Sequence, residues 1–166
     1  MLVALADTHG TRRPRLTDHL RDALERAEVV LHAGDLTTPA VLDSFESFGG
    51  VRAVYGNSDD PEVCERLPET NSLEWAGTRF VLAHGHRRGW TSLSMLARQE
   101  RADVVVVGHT HRPSVEERGW VAAVNPGSHA DPRGHQATYA VFERTEGGVT
   151  GRCRTVGGQT LETVEL

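Results

Sequence analysis

Short apolar runs recur along the first two thirds of the chain, and several of them are rich in β-branched residues. Runs of this length, bounded by glycine and polar residues, are typical of buried strands. They predict five strands, over residues 2–6, 29–33, 51–55, 79–83 and 104–107.

Two segments between the early runs have helical spacing instead. In the first of them Leu20, Ala23, Leu24 and Ala27 recur every three to four residues, which places them on one helical face. We predict helices over 17–27 and 39–48, and a later one over 91–101. The alternation of strand and helix indicates a parallel α/β sheet at the start of the chain.

After Gly108 the pattern changes to strands that are joined by turns. Strands are predicted over 114–116, 120–125, 137–144 and 149–156, with Gly147 and Gly148 forming a hairpin turn. The last third of the chain is therefore expected to be mainly antiparallel. No internal repeat, low-complexity tract or linker-like stretch interrupts the chain, so a single domain over residues 1–166 is expected.

Composition narrows the class of protein. A chain of 166 residues with 38% hydrophobic residues is long enough for one substantial core. The net charge of −5 is spread along the chain, which argues against a stable complex with nucleic acid. Cys64 and Cys153 have no CxxC spacing, so two reduced thiols in a cytoplasmic protein are expected. No leader-like segment and no apolar stretch of roughly 20 residues is present, so no membrane contact is expected.

Groups able to bind metal ions follow each of the five predicted strands. A helix N-cap, a turn residue or a hydrogen-bonded histidine would explain any one of them alone. Because the carboxyl ends of parallel strands form one rim, the five sets are expected to converge there as a metal site. The sets are Asp7-Thr8-His9-Gly10, Gly34-Asp35, Gly56-Asn57-Ser58-Asp59, His84-Gly85-His86 and Gly108-His109-Thr110-His111.

The last of these sets carries two histidines directly after a buried strand. In extended backbone, residues two apart point the same way, with Cα atoms roughly 6–7 Å apart. That spacing would let His109 and His111 serve two metal ions about 3.5–4 Å apart.

The motifs D-x-H, G-D, G-N-x-D, H-G-H and G-H-x-H occur in this order from Asp7 to His111, and together they resemble the signature of the calcineurin-like metallophosphoesterases. The later Asn125-Pro126-Gly127-Ser128, with Pro132-Arg133 beyond it, resembles the small single-domain bacterial and archaeal phosphodiesterase branch. The resemblance implies an α/β fold, a four-layer sandwich of two stacked mixed β-sheets flanked by helices.

The resemblance also implies a ligand set for two divalent metal ions. It assigns Asp7, His9 and His111 to one ion, Asn57, His84 and His109 to the other, and Asp35 to both. Manganese is the first expectation from the family, while nickel, iron, cobalt and zinc also suit nitrogen and oxygen ligands without thiolate. The resulting hypothesis is hydrolysis of a small phosphoester by a metal-bridging hydroxide, with Asn57 helping to hold the phosphoryl oxygens.

The chain departs from the family pattern at Ser58, where many members carry a histidine that protonates the leaving group. A serine hydroxyl is a poor general acid, so activated aryl esters or phosphodiesters are the expected substrates. His86 is the candidate replacement, although a supporting or turn role is equally open. Arg12 and Arg13 are candidates for binding a second phosphate or a diester backbone, as are Arg87 and Arg88, with a solvated surface as the alternative reading.

Three other functions share parts of this pattern. The retromer subunit of the same fold is a protein-binding scaffold, so a catalytically weak scaffold is the alternative; seven filled ligand positions favour an enzyme. A double-strand-break nuclease would require additional DNA-binding segments and a longer chain. A cupin-like barrel around His109 and His111 conflicts with the helical patterns near the amino terminus. A homodimer through apolar edges of the late strands stays open.

Overall fold

The computed structural model describes residues 1–166 and contains eleven strands and four helices. In chain order these are β1 (Leu2–Leu5), α1 (Asp18–Glu25), β2 (Val29–His32), α2 (Pro39–Glu46), β3 (Val51–Ala53), α3 (Pro61–Arg66), β4 (Thr70–Trp75), β5 (Thr78–Ala83), α4 (Trp90–Glu100), β6 (Val104–Val107), β7 (Ser114–Arg118), β8 (Val121–Asn125), β9 (Thr138–Thr145), β10 (Gly148–Thr155) and β11 (Thr160–Glu165). None of the helices is long and apolar enough to cross a membrane.

The strands form two mixed sheets. The six-stranded sheet has the order β11-β10-β9-β1-β2-β3, in which β1, β2 and β3 are mutually parallel. The parallel start predicted from the sequence is therefore confirmed. The five-stranded sheet has the order β4-β5-β6-β8-β7. The late strands are mainly antiparallel as predicted, except that β8 pairs in parallel with β6.

Three apolar clusters fix the layers. Between the two sheets, Leu2 and Ala4 of β1 pack with residues of the other sheet, and Phe80 meets Phe142 edge-on at 5.0 Å between ring centroids. The alternate β1 residues, Val3 and Leu5, face the outer helices α1 and α2. Because β1 is covered on both faces, it has a continuous apolar run and no alternation.

Helix α4 covers the outer face of the five-stranded sheet, where Leu93 packs with Val81 and Val105. The order of layers is therefore helix, sheet, sheet, helix. The two-sheet α/β sandwich implied by the motif resemblance is confirmed.

The structure also contains elements that the sequence patterns did not predict. These are α3, a helix of six residues that begins with proline, and two of the four edge strands, β4 and β11. An edge strand is half exposed, so its hydrophobic pattern is weak. The free thiols expected at Cys64 and Cys153 are confirmed.

Candidate metal centre

The predicted ligand residues meet where the carboxyl ends of β1, β2 and β3 face those of β5 and β6. The expectation of a single rim along one sheet was wrong in this respect, because the five strands divide between two sheets. Packing of the two sheets brings their carboxyl ends together, so residues a hundred positions apart still come into contact. His9 and His111, for example, lie 3.2 Å apart between their Nε2 atoms.

Five of the candidate ligands have left-handed backbone conformations, a region that aspartate and histidine enter more readily than bulky residues. These are Asp7 (φ 54°), His9 (φ 45°), Asp35 (φ 59°), His109 (φ 69°) and His111 (φ 58°). The extended geometry predicted for the 109–111 segment is therefore wrong, because β6 ends at Val107 and the chain then bends sharply.

Hydrogen bonds between the loops hold these bends in place. The Asp7 amide donates to the carbonyl of Gly34 at 3.0 Å, and the His9 amide donates to the carbonyl of Asp35 at 3.0 Å. The His109 amide donates to Asp7 Oδ1 at 3.1 Å. The loops that follow β1, β2 and β6 therefore support one another.

The first group of converging ligand atoms belongs to Asp7, His9 and His111. The two imidazole rings stack with centroids 4.9 Å apart, and His111 Nε2 lies 3.7 Å from Asp7 Oδ1. His111 Nδ1 donates to the carbonyl of Asp131 at 2.5 Å. Because that bond holds a proton on Nδ1, the Nε2 lone pair is left for a metal ion.

The second group belongs to Asp7, Asp35 and His84. His84 Nδ1 donates to the carbonyl of Ala33 at 2.7 Å, which directs Nε2 into the centre. That Nε2 atom lies 3.3 Å from Asp35 Oδ2 and 3.2 Å from Asn57 Oδ1. His84 is therefore oriented in the same way as His111, by a backbone carbonyl behind the ring.

Asp35 belongs to the second group and also lies close to His9 of the first. Its Oδ2 atom is 3.4 Å from His9 Nε2 and 3.3 Å from His84 Nε2. Asn57 and His109 lie at the outer edge of the second group, where both are exposed, and the His109 ring packs against His84 with centroids 5.3 Å apart. All seven residues that the motif resemblance assigned to metal binding are thus gathered at one place.

The donor set fits divalent cations. Asp7 is fully buried, and its Oδ2 atom has no hydrogen-bond partner. An unpaired buried carboxylate oxygen is unfavourable unless a cation satisfies it. Nitrogen and oxygen donors without thiolate suit the borderline first-row ions and not a thiolate-bound cluster.

Burial sets the charge states at the centre. It raises the pKa of Asp7 to about 6, although His84 and His111 act in the opposite direction. Burial also acts to raise the pKa of Asp35, but hydrogen bonds and charge from His84 and Ser58 outweigh it and hold that pKa well below its usual range. Burial acts to lower the pKa of His84, but the hydrogen bond to Asp35 and the charges of Asp35 and Asp7 together outweigh it, so that pKa is raised.

The proton that this raised pKa favours on His84 Nε2 points toward Asp35, at the position a cation would occupy. A metal ion would therefore have to displace that proton to bind.

Two residues behind the ligands support them and were not among the predicted site residues. Asp59 accepts hydrogen bonds from the amides of Asp35 at 3.1 Å and Gly56 at 2.7 Å, and so ties two ligand loops together. The Ser128 hydroxyl donates to the carbonyl of Asp7 at 2.6 Å. Both residues lie in motifs that the sequence displays, but a motif does not show which atoms a side chain contacts.

The remaining candidates differ in how close they lie to the centre. His86 is half-buried, its ring centroid is 5.3 Å from that of His84, and its Nδ1 atom has no partner. Burial and the neighbouring positive charges lower the pKa of His86. Arg12 and Arg13 lie exposed in the bend after β1, and their side chains form no hydrogen bond or ion pair in the structure.

Two sizeable cavities flank the sandwich at opposite ends. The larger, of about 480 Å³, lies at the amino ends of β5 and β8 and is lined by Asp103, Glu117 and Glu165. Its carboxylates disfavour a phosphate. The second, of about 390 Å³, includes His109 and therefore adjoins the candidate metal centre.

The fold and the site define a class of protein, the two-sheet α/β sandwiches with a candidate metal centre at the rim. Comparison with known proteins narrows that class. The sequence profile of the calcineurin-like phosphoesterase superfamily domain matches residues 1–147. The chain belongs to this superfamily, and the family supports hydrolase activity on phosphoesters.

Curated relatives agree. A probable metallophosphoesterase of Methanothermobacter thermautotrophicus is 36% identical over 137 residues, which cover 80% of this chain and 79% of the relative. A phosphodiesterase of Methanocaldococcus jannaschii is 33% identical over 144 residues, covering 74% and 80% of the two chains.

Solved structures share the fold. A predicted phosphoesterase from Streptococcus pneumoniae superposes with a TM-score of 0.77 at 26% identity, covering 99% of this chain and 95% of the other. Vps29 from Entamoeba histolytica superposes with a TM-score of 0.81 at 24% identity, covering 99% and 98% of the two chains. At that identity the likeness to Vps29 concerns the fold alone.

Proposed function

We propose that the protein is a metal-dependent phosphodiesterase with two divalent ions, manganese first among the candidates. In this proposal Asp7, His9 and His111 hold one ion, Asn57, His84 and His109 hold the other, and Asp35 is shared. The observation that carries it is the convergence of the two ligand groups around Asp7, whose buried Oδ2 atom has no partner in the protein.

When bound, the two ions supply an activated hydroxide and neutralise charge that develops on the phosphoryl group. The protein's own residues orient the substrate. The Asn57 amide nitrogen donates to the Ser58 hydroxyl at 3.3 Å, which leaves its second N–H for a phosphoryl oxygen. Asn57 thus offers its Oδ1 atom to an ion and an N–H group to the substrate.

Ser58 does not supply the proton that a leaving group needs. Its hydroxyl donates to Asp35 Oδ2 at 3.0 Å, so its proton is already engaged. Proton assistance typically contributes roughly 10²–10⁴-fold for poor leaving groups. The proposed substrates are therefore activated aryl esters and those phosphodiesters that have stabilised leaving groups.

His86 is the proposed proton donor for poorer leaving groups, because it lies beside His84 and His109. Its pKa is lowered by burial and by the neighbouring positive charges, so the charged ring becomes scarce at a lower pH than for an ordinary imidazole. Arg12 and Arg13 are proposed to contact a second phosphate, since neither guanidinium is engaged elsewhere. The free thiols Cys64 and Cys153 support a reducing compartment, so we propose a cytoplasmic location.

The decisive experiment is metal add-back. Metal-free protein is supplied with manganese, nickel, zinc or magnesium and assayed on matched aryl phosphate mono- and diesters. We expect turnover with at least one of the first three ions and a preference for the diester. Asp35→Asn should abolish both metal binding and turnover, whereas Asp22→Asn, on the exposed side of α1, should affect neither.

The alternative is a scaffold of the same fold that binds a protein partner and has little or no catalytic activity. Tight binding of two ions without turnover of any ester would favour that role over an enzyme. Full activity of Asp35→Asn would instead contradict the proposed ligand set.

A further inference from the structure

The cavity of about 390 Å³ beside His109 has a composition that the proposed reaction does not require. Trp90 and Leu93 of α4 are apolar residues of its lining, and Thr110 and Arg112 of the loop after β6 also line it. Its volume is within the range of small-molecule sites. The cavity is therefore large enough for an organic group attached to a phosphate at the metal centre.

Three arginines line this cavity, and two of them are already neutralised. Arg88 pairs with Glu69 at 2.9 Å, and Arg118 pairs with Glu116 while its guanidinium lies over the Trp90 ring at 4.5 Å. The Arg112 guanidinium forms neither an ion pair nor a hydrogen bond in the structure. One uncompensated positive charge is thus presented at the cavity.

Thr110 contributes a hydroxyl group to the same cavity. The Thr110 Oγ1 atom accepts a hydrogen bond from Asn125 Nδ2 at 2.9 Å and a weaker one from the Arg112 amide at 3.4 Å. Because both contacts use the oxygen as an acceptor, the hydroxyl proton remains free to donate. A guanidinium and a hydroxyl donor that line the same cavity suit a phosphate group.

We infer that this cavity binds a phosphate-bearing planar substituent, with Arg112 and Thr110 on the phosphate and the apolar residues Trp90 and Leu93 beside the ring. The assignment of that substituent to one side of a phosphodiester substrate rests on the proposed function, whereas the binding itself does not. In metal-free protein the carboxylates of Asp7 and Asp35 disfavour an anion at the metal centre. Binding of a compound with a single phosphate to metal-free protein therefore reports on the cavity.

The first test uses EDTA-treated protein and two probes, adenosine 5′-monophosphate and adenosine. We expect the monophosphate to quench tryptophan fluorescence and to bind at least about tenfold more tightly than adenosine. Trp90→Phe should remove the quenching. Arg112→Gln should weaken the monophosphate about tenfold without changing adenosine, and Arg52→Gln, an exposed arginine on β3, should change neither.

Equal affinity for the two probes, or unchanged monophosphate binding in Arg112→Gln, would overturn the inference. Arg112 is exposed, so its replacement should leave folding intact, and thermal unfolding of the variant checks this.

The second test uses metal-loaded protein and two diesters, one carrying an additional phosphate and the other being bis(4-nitrophenyl) phosphate. Arg112→Gln should raise KM about tenfold for the first diester only, with kcat unchanged. If no diester is hydrolysed while the first test succeeds, the cavity assignment stands and the proposed function fails. If diesters are hydrolysed but the first test fails, the proposed function stands without this cavity.

Discussion

Ser58 contacts both carboxylate oxygens of Asp35. Its amide donates to Oδ1 at 2.8 Å and its hydroxyl donates to Oδ2 at 3.0 Å, while Asp35 is almost fully buried. Ser58 therefore orients a candidate metal ligand, at the position where the motif resemblance implied a histidine as proton donor. Such supporting bonds restrict the carboxylate to one orientation and keep it ionised.

Removing the Ser58 hydroxyl should weaken metal binding. In Ser58→Ala the hydrogen bond from the backbone amide to Asp35 Oδ1 remains, and the hydrogen bond from the hydroxyl to Asp35 Oδ2 is lost. We therefore expect the affinity for manganese to fall about tenfold. Titration calorimetry on metal-free protein measures the change. Ser44→Ala on α2, whose hydroxyl contacts only a carbonyl of its own helix, is the matched control. Unchanged affinity in Ser58→Ala would show that the amide alone orients Asp35.

Gly56 is required because another residue approaches its Cα closely. A Cβ atom built at this position would lie 2.1 Å from Asp35 Oδ1 and 2.7 Å from the Asp35 nitrogen. Gly56→Ala should therefore displace Asp35 and reduce metal affinity at least about tenfold. Gly147→Ala, where a Cβ would meet nothing within 4 Å, is the control for adding a methyl group. Equal metal affinity in the two variants would contradict the proposed role of Asp35.

Metal affinity should fall as the solution becomes acidic. The pKa of Asp7 in the metal-free protein is raised to about 6 by burial, and a metal ion requires the ionised carboxylate. Above pH 6 the carboxylate is available, whereas below pH 6 each binding event must release its proton. We expect at least about a tenfold loss of manganese affinity between pH 7 and pH 5. Calorimetry in buffers of different ionisation enthalpy measures proton release, and pH-independent binding would count against the assignment.

His129 should make folding sensitive to acid. It is buried, and neither ring nitrogen has a hydrogen-bond partner. Burial, with a smaller effect of Arg15, lowers its pKa from 6.5 to about 4. Because the folded-state pKa lies below the unfolded one, the unfolded chain binds the proton first. The free energy of unfolding therefore decreases, through this group, as the pH falls from about 6.5 to about 4.

Replacing His129 with leucine should remove this loss. We expect His129→Leu to raise the free energy of unfolding by about 1 kcal/mol at pH 7 and by about 2 kcal/mol more at pH 5. Denaturant titrations at the two pH values give both numbers. For His135→Leu, at an exposed position, the change in the free energy of unfolding relative to the unmodified protein should be the same at pH 7 and at pH 5. A destabilised His129→Leu variant with the wild-type pH dependence would contradict the prediction.

The long-range organisation of the fold was largely predictable from residue patterns. Five apolar runs predicted β1, β2, β3, β5 and β6 to within one or two residues, since most residues of these runs are buried and apolar. Helix α3 and the edge strands β4 and β11 were not predictable in this way. Their residues are half exposed, and their positions depend on neighbouring strands.

By itself the sequence determined which side chains are available as ligands and that each follows a strand, because these properties are local. Only the tertiary structure decided which of them meet. It divided the strand ends between two packed sheets, placed Asp7 in both ligand groups and put His109 and His111 in left-handed bends. The physical reason is that hydrogen bonds between loops, such as the one from the His109 amide to Asp7 Oδ1, exist only after the sheets have packed.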